Sequence, residues 1–307
     1  MKKNAIVIGL VVVFFWGISF VAIKIVVGVI PPITMAVLRF CISWLILWIF
    51  SKFTIRNKIS LSRQAKWFSI LAGLWGITLC FIFENVGVNY TTPAQASILI
   101  STMPIFTIVI TDFAKRKISS LKLYMMSLIA LIGVVIVVLS NGFDLGGDTF
   151  GDIMILLAAF SWGMYTFYID RLSDYDNLVT TIEMTKWGVI FLIPFSLAEI
   201  ILKHGEFAPI RADTLLWLLF LAVLCSGFGY LIWNYVIRTI GPKAAANLIY
   251  LVPLISVISD FLILDNIPSL WFYIGGLILM AGIILGGMFS GEEIKDSKEN
   301  LKSTQGG

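Results

Sequence analysis

Six ionisable side chains interrupt long apolar runs of this chain: Lys24, Arg39, Glu84, Asp170, Glu183 and Lys186. Holding such a charge in hydrocarbon costs about 2.5–3.5 kcal/mol on insertion scales, so each is a functional candidate. The chemistry open to these types is ionic: pairing with one another, holding a charged solute, or passing a proton. Nucleophilic and metal chemistry are poorly supplied. The single histidine, His204, falls between apolar runs, and Ser226 has no histidine base at comparable depth. Cys41, Cys80 and Cys225 are odd in number and lie within apolar runs. They lack the spacing of a disulfide framework or a metal cage and are expected to pack as small hydrophobes. No glycine-lysine loop is present to cradle a phosphate. The residues therefore predict no catalytic centre, no metal and no cofactor, and the chain reads as a non-enzyme.

Aromatic and amide groups form a second constellation. Trp16, Phe20, Trp162, Tyr165 and Trp233, with Asn85, Asn234, Gln95, Asn247 and Tyr250, stand inside or at the start of apolar runs. They could line an amphipathic pocket in which ring faces hold the apolar part of a solute and amides orient its polar part. The same amides serve equally well as hydrogen-bonding links between helices, so both readings are carried forward.

The elements that must position these groups are membrane spans. Of the 307 residues, 59% are hydrophobic and only 13% charged, and the mean hydropathy is +0.97. A soluble domain carries roughly 25% charge, so most of this surface must face lipid or other helices. A bilayer core takes about 20 apolar residues per helix. That rule predicts spans at 5–28, 32–51, 67–90, 93–114, 121–140, 151–171, 178–201, 213–237, 243–264 and 269–290. The apolar run after Met1-Lys2-Lys3 contains no small-residue cleavage site and reads as an uncleaved first span. Residues 291–307 read as a disordered tail.

Seventeen of the 22 Lys and Arg residues fall on one side of these spans, and two, Lys203 and Arg211, on the other. The positive-inside rule then places both termini in the cytoplasm, in a multi-pass protein of the plasma membrane. The net charge of +4 is absorbed by that bias, so nucleic acid is not an expected partner. The expected partners are the bilayer and a small-molecule solute; oligomeric state is left open.

The two halves look like copies. Trp16-Gly17 matches Trp162-Gly163, Arg39 matches Lys186 and Asn85 matches Asn234. Pro93 matches Pro242, Pro104 matches Pro253 and Gly133 matches Gly282. The offset drifts only from 146 to 149 residues. An odd number of spans per copy, five, turns the second copy upside down. Inverted repeats with a site near the midplane typify secondary transporters. Pro104 and Pro253 are expected to kink spans 4 and 9.

The run FWGISFVAIKI at 15–25, Pro31-Pro32 with Arg39, and Tyr90-Thr91-Thr92-Pro93-Ala94-Gln95-Ala96-Ser97 leading to Met103-Pro104 resemble the first EamA repeat of the drug/metabolite transporter superfamily. Gly151-Asp152, Ser161-Trp162, Tyr230 to Tyr235 with Arg238 and Gly241, Tyr250-Leu251-Val252-Pro253 and Gly275-Gly276 are similar to the second. The resemblance implies a bacterial or archaeal permease of ten helices, with one repeat in 1–143 and the other in 144–290. It implies export of amino acids or related metabolites. Leu264-Asp265-Asn266 stands where the family often has a Gly-Glu pair, a change expected to matter little. A membrane-embedded enzyme and a sensor or accessory subunit are the competing classes.

Depth follows from the 1.5 Å rise per helical residue: Arg39 and Glu84 share a level roughly 9–10 Å from one end, with Lys24 nearby. Glu183 and Lys186 lie about 7–12 Å from the opposite end, with Asp170 nearby. Two readings fit: alternating gates at the two mouths, or static ion pairs that orient helices. Glu183 and Lys186, at i,i+3, could simply satisfy each other. Glu84 is the candidate for proton coupling. Asp112 and Asp260 are expected to be solvated at the interface, and Trp48, Trp67 and Trp271 to join interfacial belts.

Overall fold

In hydrocarbon a backbone amide finds no water, so a spanning chain must satisfy its hydrogen bonds within itself. Long apolar segments therefore close into helices. The computed structural model describes residues 2–55, 60–115, 121–139, 148–202, 209–282 and 284–285, and the tail lies outside them. All the regular structure among the described residues is helical. The membrane helices are α1 (Lys2–Val27), α2 (Pro32–Thr54), α3 (Arg63–Tyr90) and α4 (Pro93–Ala114). Then come α5 (Leu121–Leu139), α6 (Asp148–Asp170) and α7 (Asn177–Leu202). The last three are α8 (Ala212–Ile240), α9 (242–264, in pieces) and α10 (Leu270–Gly282).

Their starts follow local chemistry. Ser62 accepts a hydrogen bond from the Ala65 amide at 3.1 Å, so α3 begins at Arg63, four residues before the predicted 67. Pro32, Pro93 and Pro242 occupy first-turn positions, where the missing N–H has no intrahelical partner to lose. Gly241 adopts φ 88° between α8 and α9, a left-handed conformation open to glycine.

Four helices depart from regular α geometry, in two matched pairs. A π-helical turn occupies Leu74–Leu79 of α3 and another Leu221–Phe228 of α8. In α4 the helix stops at Ile100, turns through Ser101 and Thr102, and restarts at Met103. In α9 a 3₁₀ turn, Ile249–Leu251, stands at the corresponding place. Pro104 and Pro253 explain the second pair: a proline has no N–H for the carbonyl four residues earlier, here Ile100 and Ile249. The expected kinks are thus breaks, one turn ahead of each proline.

Helix packing exchanges roles between the halves. The first helix, α1, packs on α8 and α9, whereas α6 packs on α3 and α4. α2 packs on α7 and on the π-helical part of α8; α7 packs on α2 and on the first part of α3. α5 and α10 meet through glycines, with Gly133 against Leu279 and Gly282 against Ala130. Two inverted five-helix repeats account for every exchange. Large apolar side chains such as Phe53, Phe113, Leu216, Leu254, Leu262 and Leu277 are exposed around the perimeter, where lipid replaces water. Trp48, Trp67 and Trp271 are exposed as well.

Gly73 marks the tightest joint between α3 and α7. A Cβ there would lie 2.4 Å from the Met184 carbonyl oxygen and 2.9 Å from the Gly188 nitrogen, both backbone. Gly73→Ala is expected to destabilise the fold by about 1–3 kcal/mol, as overpacking does. At Gly276 a Cβ meets only the end of the Ile98 side chain, at 3.0 Å, so Gly276→Ala should be tolerated. Thermal unfolding in detergent checks the pair.

Candidate functional site

Between the repeats lies a small, open-mouthed cavity of about 40 Å³. α1 supplies Trp16, Ser19 and Phe20 to it, and α2 supplies Arg39. Phe81 and Glu84 come from α3, Trp162 from α6 and Tyr230 from α8. Ile100 and Met103 flank the break in α4; Ile249 and Val252 flank the 3₁₀ turn in α9. Eight of these residues form four repeat-related pairs: Trp16 with Trp162, Phe81 with Tyr230, Ile100 with Ile249, and Met103 with Val252. The charges break the symmetry. Lys186 and Trp233 occupy the places of Arg39 and Glu84 in the second repeat, and neither is among the lining residues.

The walls are held by hydrogen bonds to backbone carbonyls of the π-helical turns. Trp16 Nε1 donates to the Cys225 carbonyl of α8 at 2.9 Å. Tyr230 OH donates to the Gly76 carbonyl of α3 at 2.6 Å. Residues 76 and 225 are equivalent positions, so an aromatic of each repeat grips the π turn of the other. Ser43 Oγ adds a bond to the Ala222 carbonyl at 2.6 Å. The rings also pack together: Trp16 lies edge-on to Trp162 at 5.3 Å, and Tyr230 lies 5.7 Å from Trp162.

Arg39 is 2% exposed and Glu84 8%. Arg39 Nε donates to Ser226 Oγ, and its guanidinium sits over the Phe81 ring, 4.5 Å from the centroid. Its Nη1 is buried without a hydrogen-bond partner. No ion pair joins Arg39 to Glu84, and no hydrogen bond reaches the Glu84 carboxylate, among the described residues. Two opposite charges thus line one apolar cavity without collapsing on each other. At the breaks Pro104 and Pro253 supply no N–H to the Ile100 and Ile249 carbonyls, and Ile249 accepts from the Val252 amide instead. Irregular backbone at this depth is tolerated where it lines a cavity, as in transporters with discontinuous helices.

The EamA-like transporter family matches this chain twice, over residues 3–139 and again over 149–287. The chain belongs to the EamA-like transporter family. An uncharacterized transporter of Archaeoglobus fulgidus is 34% identical, covering 88% of this chain and 92% of its own. A probable amino-acid metabolite efflux pump of Escherichia coli is 26% identical, covering 93% and 95%. One crystal structure superposes with a TM-score of 0.64 at 16% identity, over 93% of this chain and 96% of that one; the likeness is one of fold. This EamA chain is a multi-pass membrane transporter.

Of the ten pathway residues expected from sequence, the cavity takes Trp16, Phe20 and Trp162. Trp233 packs against Trp16 at 4.8 Å. Tyr165 OH donates to Asn234 Oδ1, and Asn234 Nδ2 donates to Thr181 Oγ1 at 2.9 Å. Asn85 Nδ2 donates to the Pro32 carbonyl at 3.1 Å, and Gln95 Nε2 to Asp152 at 2.7 Å. These polar groups link helices instead of lining the cavity. Asn247 and Tyr250 belong to α9, and their side chains lie outside the described residues.

Of the six charges, only Arg39 and Glu84 reach the cavity of this EamA chain. Lys24 Nζ donates to the carbonyls of Val88, Asn89 and Thr91 at 2.8–3.0 Å, closing the end of α3. Those bonds hold Lys24 above the level of Arg39 and Glu84, at the helix terminus. Lys186 pairs with Glu183 at 2.6 Å within α7, and Trp187 Nε1 donates to Glu183 at 2.8 Å. Asp170 is the last residue of α6. Asp260 is also corrected: it is buried, accepting from the Ala94 amide at 3.1 Å and Asn266 Nδ2 at 2.8 Å. Asn266 therefore has a defined role in binding Asp260.

Sequence reasoning passed over Phe81, Tyr230, Ser19, Ile100, Met103, Ile249 and Val252. The repeat offset could have found three pairs of them, since Phe81 and Tyr230 are spaced as Asn85 and Asn234 are.

Tyr165→Phe should leave Asn234 Oδ1 without its donor and cost about 1–3 kcal/mol of stability. Replacing Glu183 and Lys186 together by Gln, a partly exposed pair within one helix, should change stability by under about 0.5 kcal/mol. Thermal unfolding separates the two, and neither change is expected to alter ligand selectivity.

Proposed function

We propose that the chain is a secondary carrier that exports small metabolites, amino acids or related compounds, across the plasma membrane. The observation that carries the reading is the cavity between the repeats, built from repeat-related pairs and bearing Arg39 and Glu84. A molecule there touches both repeats at once. Rocking one repeat (1–143) against the other (144–290), with both termini cytoplasmic, would expose it to either side in turn. The π turns suit that motion, because such turns recur at functional places in helices, and each is gripped by a cavity aromatic from the other repeat. The Escherichia coli relative, a probable amino-acid metabolite efflux pump, is named for the same solute class. The aromatic walls and the two charges suit a compact amphipathic solute.

Counterflow in proteoliposomes tests the reading. Labelled amino acids should accumulate against an unlabelled internal pool. Trp16→Ala should lower the rate at least about tenfold, because it removes both a cavity wall and a grip on the π turn. Absence of counterflow across a broad metabolite panel, with formation of a new chemical product, would reverse the assignment in favour of an enzyme.

A further inference from the structure

We infer that Arg39 and Glu84 determine specificity, together selecting a zwitterion and binding it in one orientation, carboxylate toward Arg39 and ammonium toward Glu84. The inference rests on the carrier reading and assigns its selectivity to two residues of the first repeat.

Arg39 and Glu84 do not form an ion pair, among the described residues. A buried guanidinium and a buried carboxylate in one apolar cavity would ordinarily gain by contact, since each is costly to leave uncompensated. Here Arg39 is held back. Its Nε is engaged by Ser226 Oγ on the π turn of α8, and the ring of Phe81 lies beneath its plane. That leaves Nη1, which makes no hydrogen bond. Guanidinium geometry favours carboxylate oxygens. Glu84, with no hydrogen-bond donor of its own, is the complementary acceptor for an ammonium group.

The surroundings agree with that polarity. Aromatic rings make up much of the rest of the wall. Trp16, Trp162 and Tyr230 offer π faces to the cavity, which favour a cation. Arg39 is the only cation among the lining residues, so it alone fixes the anionic end. Because Lys186 and Trp233 stand at the equivalent places and do not line the cavity, the second repeat offers no reversed copy of the pair. A zwitterion therefore has one favourable orientation. A free amine would leave Arg39 uncompensated, and a free acid would leave Glu84 so.

Matched ligand triplets test this on the purified full chain by thermal shift and by counterflow. Each triplet contains an amino acid, its deaminated acid and its decarboxylated amine: alanine, propanoate and ethylamine; leucine, 4-methylpentanoate and 3-methylbutylamine; phenylalanine, 3-phenylpropanoate and 2-phenylethylamine. At least one amino acid should bind about tenfold or more tightly than both of its analogues, the size of one lost charge-assisted bond. Glu84→Gln should erase the advantage over the acid while leaving acid binding unchanged or stronger. Arg39→Gln should erase the advantage over the amine. Glu84→Gln decides alone if the Arg39 variant fails to fold, because Glu84 makes no hydrogen bond among the described residues. A merely structural role would weaken all three ligands together, and that result overturns the inference. So does an acid or amine that equals its amino acid in every triplet, or no binding in any triplet. Counterflow of some other solute in that last case would leave the carrier reading standing.

Discussion

A backbone carbonyl released from its helix has nowhere to go in hydrocarbon, and this constraint organises the structure. Among the described residues the chain departs from the regular α-helical ladder at two π-helical turns and two breaks ahead of prolines. All four are on α3, α8, α4 and α9, and each has residues directed to the junction between the repeats. The π-turn carbonyls of Gly76 and Cys225 are taken by Tyr230 and Trp16. Ile100 and Ile249, at the breaks, line the cavity. Irregular backbone, expensive elsewhere, is confined to the one region where a solute or a partner side chain can meet it.

The buried polar side chains divide along the same boundary. Several complete a helix end or a helix contact. Lys24 closes the end of α3, Asp260 receives the start of α4, and Asn234 bridges Tyr165 and Thr181. Arg39 and Glu84 are different, because their capacity for hydrogen bonds is left partly unused within the cavity.

Much of the architecture was legible in the sequence. Ten apolar runs, their prolines and the drifting repeat offset predict an all-α bundle of two inverted fives. The charges at Arg39 and Glu84 stood out because hydrocarbon penalises them strongly. The polar pathway residues were less legible. Asn85, Gln95, Tyr165 and Asn234 looked like solute ligands, yet an amide inside a span serves a neighbouring helix as readily as a solute. Composition and spacing do not distinguish the two uses. Phe81, Ile100 and Met103 carried no signal as individual residues, since apolar side chains are ordinary in a span.

Sequence by itself determined that the chain crosses the membrane repeatedly and that it does so as a duplicated unit. Those conclusions rest on transfer free energy and periodicity, which are local properties of the chain. Tertiary structure alone decided which charges share a cavity. Lys24 and Arg39 lie in neighbouring spans and have similar burial costs, but one ends on helix carbonyls and the other on Ser226, across the repeat interface. Partner choice of that kind depends on which helices meet and at what rotation. It is fixed by packing between residues far apart in the chain, so no local pattern encodes it.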